Sequence, residues 1–245
     1  MSTYTLTVVT AGLSIPSSTD LLGQQLAHHT QQLAHTQGHD IALEHINLKP
    51  LAYPLAEALA TGIPPNELDD ALDAMERADG IILVSPIYAG SYSGLFKTFM
   101  DFVGTDRIRN TPVLLAATGG TARHSLAIDY ALRPLAAALR AHPIATGVFA
   151  ATEDFGTTGS ALNQRISRAA AELVVAMTAP TVQLPAATPE TVTPAPQRRT
   201  PHPLSPVGTP GKNATIPALD SQGKITTLRP QLGDFVPMTN LINRP

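Results

Sequence analysis

Short apolar runs rich in β-branched residues recur along the chain, at 4–10, 40–46, 80–84, 112–118 and 144–151. Runs of that length and composition predict strands. The run at 40–46, Asp40-Ile41-Ala42-Leu43-Glu44-His45-Ile46, alternates in the way of a strand near a sheet edge. Between the strands the apolar spacing changes to the helical one. Leu21, Leu22, Leu26 and Leu33 mark a helix over 18–36, and Pro64-Pro65-Asn66 opens another through Leu68, Leu72 and Met75. Further helices are predicted over 94–103, over an alanine-rich stretch at 122–141, and over 158–178. Five βα units of this kind predict an α/β fold, a three-layer sandwich around a five-stranded parallel sheet with right-handed crossovers. The expected strand order is 2-1-3-4-5, the flavodoxin-like arrangement, with its switch point between strands one and three.

The pattern ends near residue 179. Nine prolines precede that point and 13 fall in the 66 residues after it. Proline lacks the amide donor and fixes φ, so such a stretch propagates neither helix nor central strand. We therefore expect a domain at 1–179 and a Pro-rich extended tail at 180–245. Within the tail, 233–242 regains hydrophobicity, with Phe235, Met238 and Leu241 as anchors of a docking segment or as a tail end of no consequence.

Composition narrows the chemistry. The 245 residues are 43% hydrophobic and 14% charged, with a net charge of −3. That balance leaves no electrostatic footprint for nucleic acid or an anionic membrane. The absence of cysteine excludes thiolate nucleophiles, Fe–S clusters and cysteine zinc sites. Met1-Ser2-Thr3-Tyr4-Thr5 has no basic n-region, and no run approaches the roughly 20 apolar residues of a membrane span. The expectation is a soluble cytoplasmic protein.

In such a sheet the ligand crevice lies at the carboxyl ends of strands one, three and four. After strand one, Thr10 to Thr19 holds three serines, two threonines and a glycine ahead of a helix. Helix amides with hydroxyl donors make an anion site, although a serine- and threonine-rich cap explains the composition as well. Neither G-x-G-x-x-G nor G-x-x-x-x-G-K-[ST] is present, so a cradle without lysine suits a terminal monoester phosphate. After strand three, Ser85-Pro86-Ile87-Tyr88-Ala89-Gly90-Ser91-Tyr92-Ser93-Gly94 carries tyrosines in place of acids or bases. Pro86 is expected to turn the chain at the strand end, with Ile87 and Tyr88 beside a flat aromatic ring. The central residue of Gly90-Ser91-Tyr92-Ser93-Gly94 is Tyr92, so this is no nucleophile elbow. After strand four, Thr118-Gly119-Gly120-Thr121 can turn amides to a ligand edge, and the dipole of the expected helix would favour negative charge there. Arg123 and His124 follow, as ring-edge contacts or as surface residues.

These stretches resemble the NADPH-dependent FMN reductase family of flavodoxin-like proteins. The likeness runs through Ser14 to Thr19, through Pro86-Ile87-Tyr88 to Gly94-Leu95-Phe96-Lys97, and through Thr118-Gly119-Gly120 with His124. It continues in Asp129-Tyr130-Ala131-Leu132-Arg133-Pro134 and Gly147-Val148-Phe149-Ala150, and covers roughly 3–178. It is most similar to the two-component reductases that feed luciferase-like or alkanesulfonate-type monooxygenases. The resemblance implies FMN and NAD(P)H as cofactors, a homodimer or homotetramer, and a flavin-dependent monooxygenase as acceptor of reduced FMN. By the same resemblance Ser14, Ser17, Ser18 and Thr19 hold the FMN phosphate. Pro86, Ile87, Tyr88, Ala89, Gly90 and Ser91 line the isoalloxazine, and Thr118, Gly119, Gly120, Thr121 and His124 meet its polar edge. No catalytic acid or base is expected, because the cofactor carries hydride transfer.

Two alternatives remain at this point, a quinone or azo-type reductase on the same fold and a non-enzymatic flavodoxin-like electron carrier. His28, His29, His35, His39 and His45 lack a carboxylate–histidine motif, so no metal site is expected of them. Lys97 and Asp101 stand four apart on one helix, as a surface ion pair or an interface element.

Overall fold

The computed structural model describes residues 2–156 and 161–179. The strands are β1 (Ser2–Thr10), β2 (His39–Asn47), β3 (Gly80–Tyr88), β4 (Ser91–Tyr92), β5 (Pro112–Gly119), β6 (His142–Pro143) and β7 (Val148–Ala151). The helices are α1 (Ser18–Thr36), α2 (Ala52–Thr61), α3 (Asn66–Glu76), α4 (Gly94–Val103), α5 (Arg133–Ala138) and α6 (Ala161–Thr178). Parallel pairing runs β2-β1-β3-β5, and β6 and β7 both pair with β5. The expected order 2-1-3-4-5 is therefore the path β2-β1-β3-β5-β7, but the sheet has seven strands and not five. The tail at 180–245 and its segment at 233–242 lie outside the described residues.

Because both faces are covered, the central strands are apolar at nearly every position, and successive residues enter opposite layers. Val9, Ile81, Leu83, Val113 and Leu115 pack with Leu55, Leu68, Phe96 and Phe99 from α2, α3 and α4. Leu6, Val8, Ile82, Val84 and Leu114 pack with Leu22 and Leu26 of α1 and Ile166 and Leu173 of α6. Gly23 lets α1 approach the sheet: a Cβ there would lie 2.7 Å from Thr10 Cγ2.

Two extra strands come from one interruption and one turn. β6 pairs Pro112 with His142, and β7 pairs Ala116 with Val148. The offset grows from 30 to 32 across the pair (142 − 112, then 148 − 116), so the edge strand carries two inserted residues. Their polar backbone is satisfied from both layers. Arg133 donates to the carbonyls of Ile144 and Ala145 at 3.0 and 3.1 Å, and Glu172 accepts from the Thr146 amide at 2.8 Å.

Three expectations are corrected. The third strand does not end at Val84; it continues to Tyr88, with Pro86 in register beside Thr118. Proline is tolerated there because the β1 ladder has already ended at Val84, so no donor is missed. The single helix expected over 122–141 is instead a 3₁₀ turn at Ala122–His124, a π-helical turn at Ile128–Leu132 and the short α5. Pro134 falls at the start of α5, directly after the π-helical turn where the regular α-helical pattern of amide bonds is interrupted. Helix α2 was not anticipated, since only Leu55 and Ala58 of its residues are buried. The helix expected from 158 is described from Ala161.

Candidate flavin crevice

The carboxyl ends of β1, β3 and β5 open on one crevice of about 170 Å³. Gly12, Leu13, Ser14, Ser18 and Thr19 form one wall, Pro86, Ile87 and Tyr88 a second, and Thr118, Gly119 and Gly120 a third. Thr152, after β7, closes the rim. These walls hold no carboxylate, imidazole, amine or guanidinium.

The first wall is built around the start of α1. Ser17 caps the helix, its Oγ accepting from the Asp20 amide at 3.1 Å. The amides of Ser18 and Thr19 have no carbonyl one turn back and point out of the helix end. Gly12 is needed for the loop to close on the cap, since a Cβ there would lie 2.0 Å from Ser17 Oγ. At the crevice floor, Thr19 and Thr118 are 2% and 4% exposed, and their hydroxyls are 2.8 Å apart. One hydroxyl must donate to the other, which leaves a second proton with no acceptor among the described residues.

The second wall is a hairpin. β3 turns through Ala89 and Gly90, with φ of 49° and 85°, and returns as β4 with Tyr88 opposite Ser91. Two successive positive φ values make the tight turn that matches strand twist. Its base is fixed by the buried Ser85, whose Oγ accepts from the Ser93 amide at 3.0 Å, while Ser93 caps α4 through the Phe96 amide. Its tip is fixed by Tyr130 of the π-helical turn, whose hydroxyl donates to the Gly90 carbonyl at 2.5 Å. Tyr88 thus stands 51% exposed on a backbone held at both ends.

At the third wall Gly119 lies under Phe149, where a Cβ would come within 2.9 Å of Cζ, and Gly120 is open to the crevice. Only the three-residue 3₁₀ turn follows, so the strong helix dipole expected at this edge is absent. Gly119 is taken up in the ladder to Ala151 of β7, so Gly120 is the glycine of this wall that lies beyond the strand.

The structure thus brings Ser14, Ser18, Thr19, Pro86, Ile87, Tyr88, Thr118, Gly119 and Gly120 together. Ser17 lies behind the loop as the cap, and Ala89, Gly90 and Ser91 shape the hairpin without lining the crevice. Thr121 and His124 belong to the exposed turn beyond Gly120. Gly12, Leu13 and Thr152 were not singled out from the sequence. Thr152 carried a usable signal, since it follows a strand end as the others do.

The site fits a flavin mononucleotide on three counts. The spare hydroxyl proton and the Ser18 and Thr19 amides suit a phosphate, with the positive end of α1 behind them. The half-exposed Tyr88, beside Ile87 and Pro86, offers a flat apolar surface. Gly120, with open space where a side chain would stand, lets the backbone approach closely.

Elsewhere, a hollow of about 770 Å³ between α1 and the start of β2 is lined by His28, His29, His35 and His39 among others. The histidines do not converge: His29 faces Ser167 at 3.3 Å and His39 stacks edge-on against Tyr4. Among the described residues no three His, Cys, Asp or Glu side chains come together as a metal site. Burial, then the neighbouring His28, hold His29 below its ordinary pKa of 6.5. The Lys97–Asp101 pair forms at 2.6 Å on the surface, and that hydrogen bond raises the Lys97 pKa. No helix among the described residues is long and apolar enough to cross a membrane.

The family model described as NADPH-dependent FMN reductase matches residues 5–156. An FMN reductase (NADPH) from Pseudomonas aeruginosa is 39% identical over 156 residues, 63% of this chain and 80% of that protein. The NADH-dependent FMN reductase SfnE of Pseudomonas putida is 38% identical over 170 residues, 68% of this chain and 88% of its own length. Among solved structures, an oxidoreductase from Corynebacterium diphtheriae is 40% identical with a TM-score of 0.70, covering 72% of this chain and 98% of that one. The NADH:FMN oxidoreductase EMOB in its apo form is 30% identical with a TM-score of 0.60, covering 69% and 90%. With the crevice at the same strand ends where the fold places its ligand, the chain belongs to the NADPH-dependent FMN reductase family, and with it to the NAD(P)H:FMN oxidoreductases.

Proposed function

We propose that the crevice binds FMN as an exchangeable substrate, that NAD(P)H reduces it there, and that reduced FMN leaves for a partner flavin-dependent monooxygenase of the luciferase-like type. The observation that carries this is the lining itself: hydroxyls, amides and apolar surface, with no carboxylate, imidazole, amine or guanidinium. When bound, the flavin supplies the two-electron chemistry, and the protein supplies position, polarity and exclusion.

In this reading Ser14, Ser18 and the Thr19–Thr118 pair hold the phosphate by donating hydrogen bonds, together with the first amides of α1. Pro86, Ile87 and Tyr88 back the ring system. Gly120 offers its amide to the polar edge, where charge accumulates on reduction. A crevice of about 170 Å³ is smaller than the usual 300 Å³ or more of an enclosing ligand pocket. One ring face therefore stays open, which is where a nicotinamide must stack, and an open site releases its product. The reading places the reaction in residues 1–179, leaves the 180–245 extension outside the chemistry, and takes the working form as a homodimer or homotetramer.

Steady-state oxidation of NADH and NADPH with free FMN tests the assignment. Turnover saturable in FMN, from protein purified without bound flavin, is the expected result. Flavin that stays bound through turnover of a quinone would replace it with the quinone-reductase reading, and no nicotinamide oxidation at all would leave a carrier.

A further inference from the structure

The two edges of the sheet are finished differently. Along β7 the outer backbone groups are already used: Arg165 donates to the Phe149 carbonyl at 3.2 Å, and the Ala151 amide donates to Asp154 at 2.8 Å. The residues inserted between β6 and β7 are held by Arg133 and Glu172. The β2 edge is not treated in this way. His39–Asn47 pairs with β1 along all nine of its residues, in unbroken register and without proline or lysine. A long, regular, open edge strand is a template for another strand, which is why such edges are usually interrupted, charged or covered.

Alternate residues of β2 turn their backbone groups outward. The Leu48 amide, next beyond the strand, donates to the Thr10 carbonyl, so the even positions bond to β1 and the odd ones, Ile41, Leu43 and His45, face away. Of these outward groups only the Ile41 carbonyl has a partner among the described residues, Gln31 Nε2 at 3.2 Å, and a carbonyl accepts two bonds. Space opens beside the strand on both faces, in the histidine-lined hollow of about 770 Å³ towards α1 and in one of about 330 Å³ towards α3. Leu43 stands in register with the buried Leu6, yet it is 44% exposed because no strand lies beyond it.

We propose that a second copy of the chain adds its own β2 here, antiparallel about a two-fold axis at Leu43, so that one sheet runs through both subunits. This rests on the homo-oligomeric part of the proposed function, whose contact surface it names, and makes no demand on the flavin chemistry. In this register the two Leu43 residues exchange both backbone bonds, and on either side Ile41 does the same with the second copy's His45. The facing side chains are self-complementary. On the α1 face, where Ile41 packs, Leu43 meets Leu43 and Ile41 meets His45. On the α3 face, where Ile46 is buried, Ala42 meets Glu44 and Asp40 meets Ile46, so no like charges stand directly opposite. The two Glu44 carboxylates lie on a diagonal, and each keeps its own Arg77 at 3.5 Å. A surface that matches itself about an axis selects a second copy over an extended strand of another protein.

The absence of cysteine makes the test direct. Leu43→Cys would set two thiols across the axis on Cα atoms about 5.5 Å apart, within the span of a disulfide. Mild oxidation of the full chain with diamide should then give a covalent dimer, whereas Leu59→Cys, on the exposed face of α2, should give none. Leu43→Pro removes an outward amide and no bond to β1, so the subunit should keep its fold by circular dichroism. In sedimentation equilibrium its assembly should halve in mass, with a rise of roughly tenfold or more in the dissociation constant. The disulfide decides the matter if Leu43→Pro misfolds. A full chain that sediments as a monomer would overturn the homo-oligomeric reading and this inference together. An oligomer that forms no disulfide in Leu43→Cys, or that a folded Leu43→Pro leaves intact, would overturn this inference alone. A disulfide in Leu59→Cys and none in Leu43→Cys would move the contact to α2 and overturn it too.

Discussion

Replacing Thr19 and Thr118 by valine, singly and together, separates what the buried hydroxyl pair does for the fold from what it does for the ligand. The two oxygens are 2.8 Å apart and almost fully buried. Valine keeps the shape, so either single change leaves one buried hydroxyl without its partner, a cost of about 1–3 kcal/mol. For a domain of this size that is a fall of roughly 4–8 °C in Tm for the middle of that range. The double variant removes both partners and should recover most of the loss, because an apolar pair of the same shape is nearly neutral. Affinity should behave differently. The spare hydroxyl proton, given to a phosphate, makes a charge-assisted hydrogen bond worth about 1.5–3 kcal/mol, so its loss raises the FMN Kd about ten- to a hundredfold. We expect the loss in the double variant and in Thr19→Val, since Thr19 sits in the first turn of α1. Thr118→Val should keep affinity. Riboflavin, which lacks the phosphate, should bind all four proteins alike. Thermal unfolding and fluorescence titration give both quantities. An unchanged FMN Kd in a folded double variant would refute the phosphate assignment.

Ser17→Ala and Ser18→Ala should part in the same way. Ser17 caps α1, so its loss should cost about 1 kcal/mol in thermal unfolding, whereas Ser18→Ala should weaken FMN binding with Tm unchanged. Stability should fall with pH below 6.5: the folded protein holds His29 under that value, so the unfolded chain takes up the proton first. The contribution is complete above 6.5 and declines below it until the folded ring protonates too. His29→Gln should flatten this acid limb in thermal scans, and an unaltered limb would assign it to other groups. A chain ending at Ala179 should remain soluble and reduce FMN, since the described strands and helices end at Thr178. Insoluble product would show that the tail is part of the folded unit.

Strand positions were legible because both faces of this sheet are covered. A continuous apolar run then has one interpretation, and β1, β3 and β5 all carry it. What the pattern could not carry was the influence of neighbouring strands. Pro86 reads as a turn in isolation; it belongs to a strand because the pairing with β1 ends at Val84 and leaves that amide position without a partner to miss. The region 122–141 reads as one helix because alanine and aliphatic spacing dominate it. The run instead begins only after the turn at 125–126, and it carries Pro134 just past the π-helical turn, while Arg133 holds the inserted residues of the edge strand. Helix α2 buries two side chains, too few to leave a period.

The crevice was more legible than the fold around it, for a physical reason. A ligand that carries its own chemistry asks the protein for position and polarity, and those needs are met by glycines, hydroxyls and strand ends, which the sequence displays locally. What the sequence does not display is how the candidate residues are held by their neighbours. Ser17 is a hydroxyl beside the phosphate position whose oxygen also caps α1 by accepting from the Asp20 amide. Gly90 offers an open backbone, yet its carbonyl is held by Tyr130, 40 residues away. Such contacts fix candidate groups in position. They also place the rigid part of the site, the capped helix and the tied hairpin, around a lining that holds no fixed charge, and a site of that kind can hold a flavin in place without keeping it.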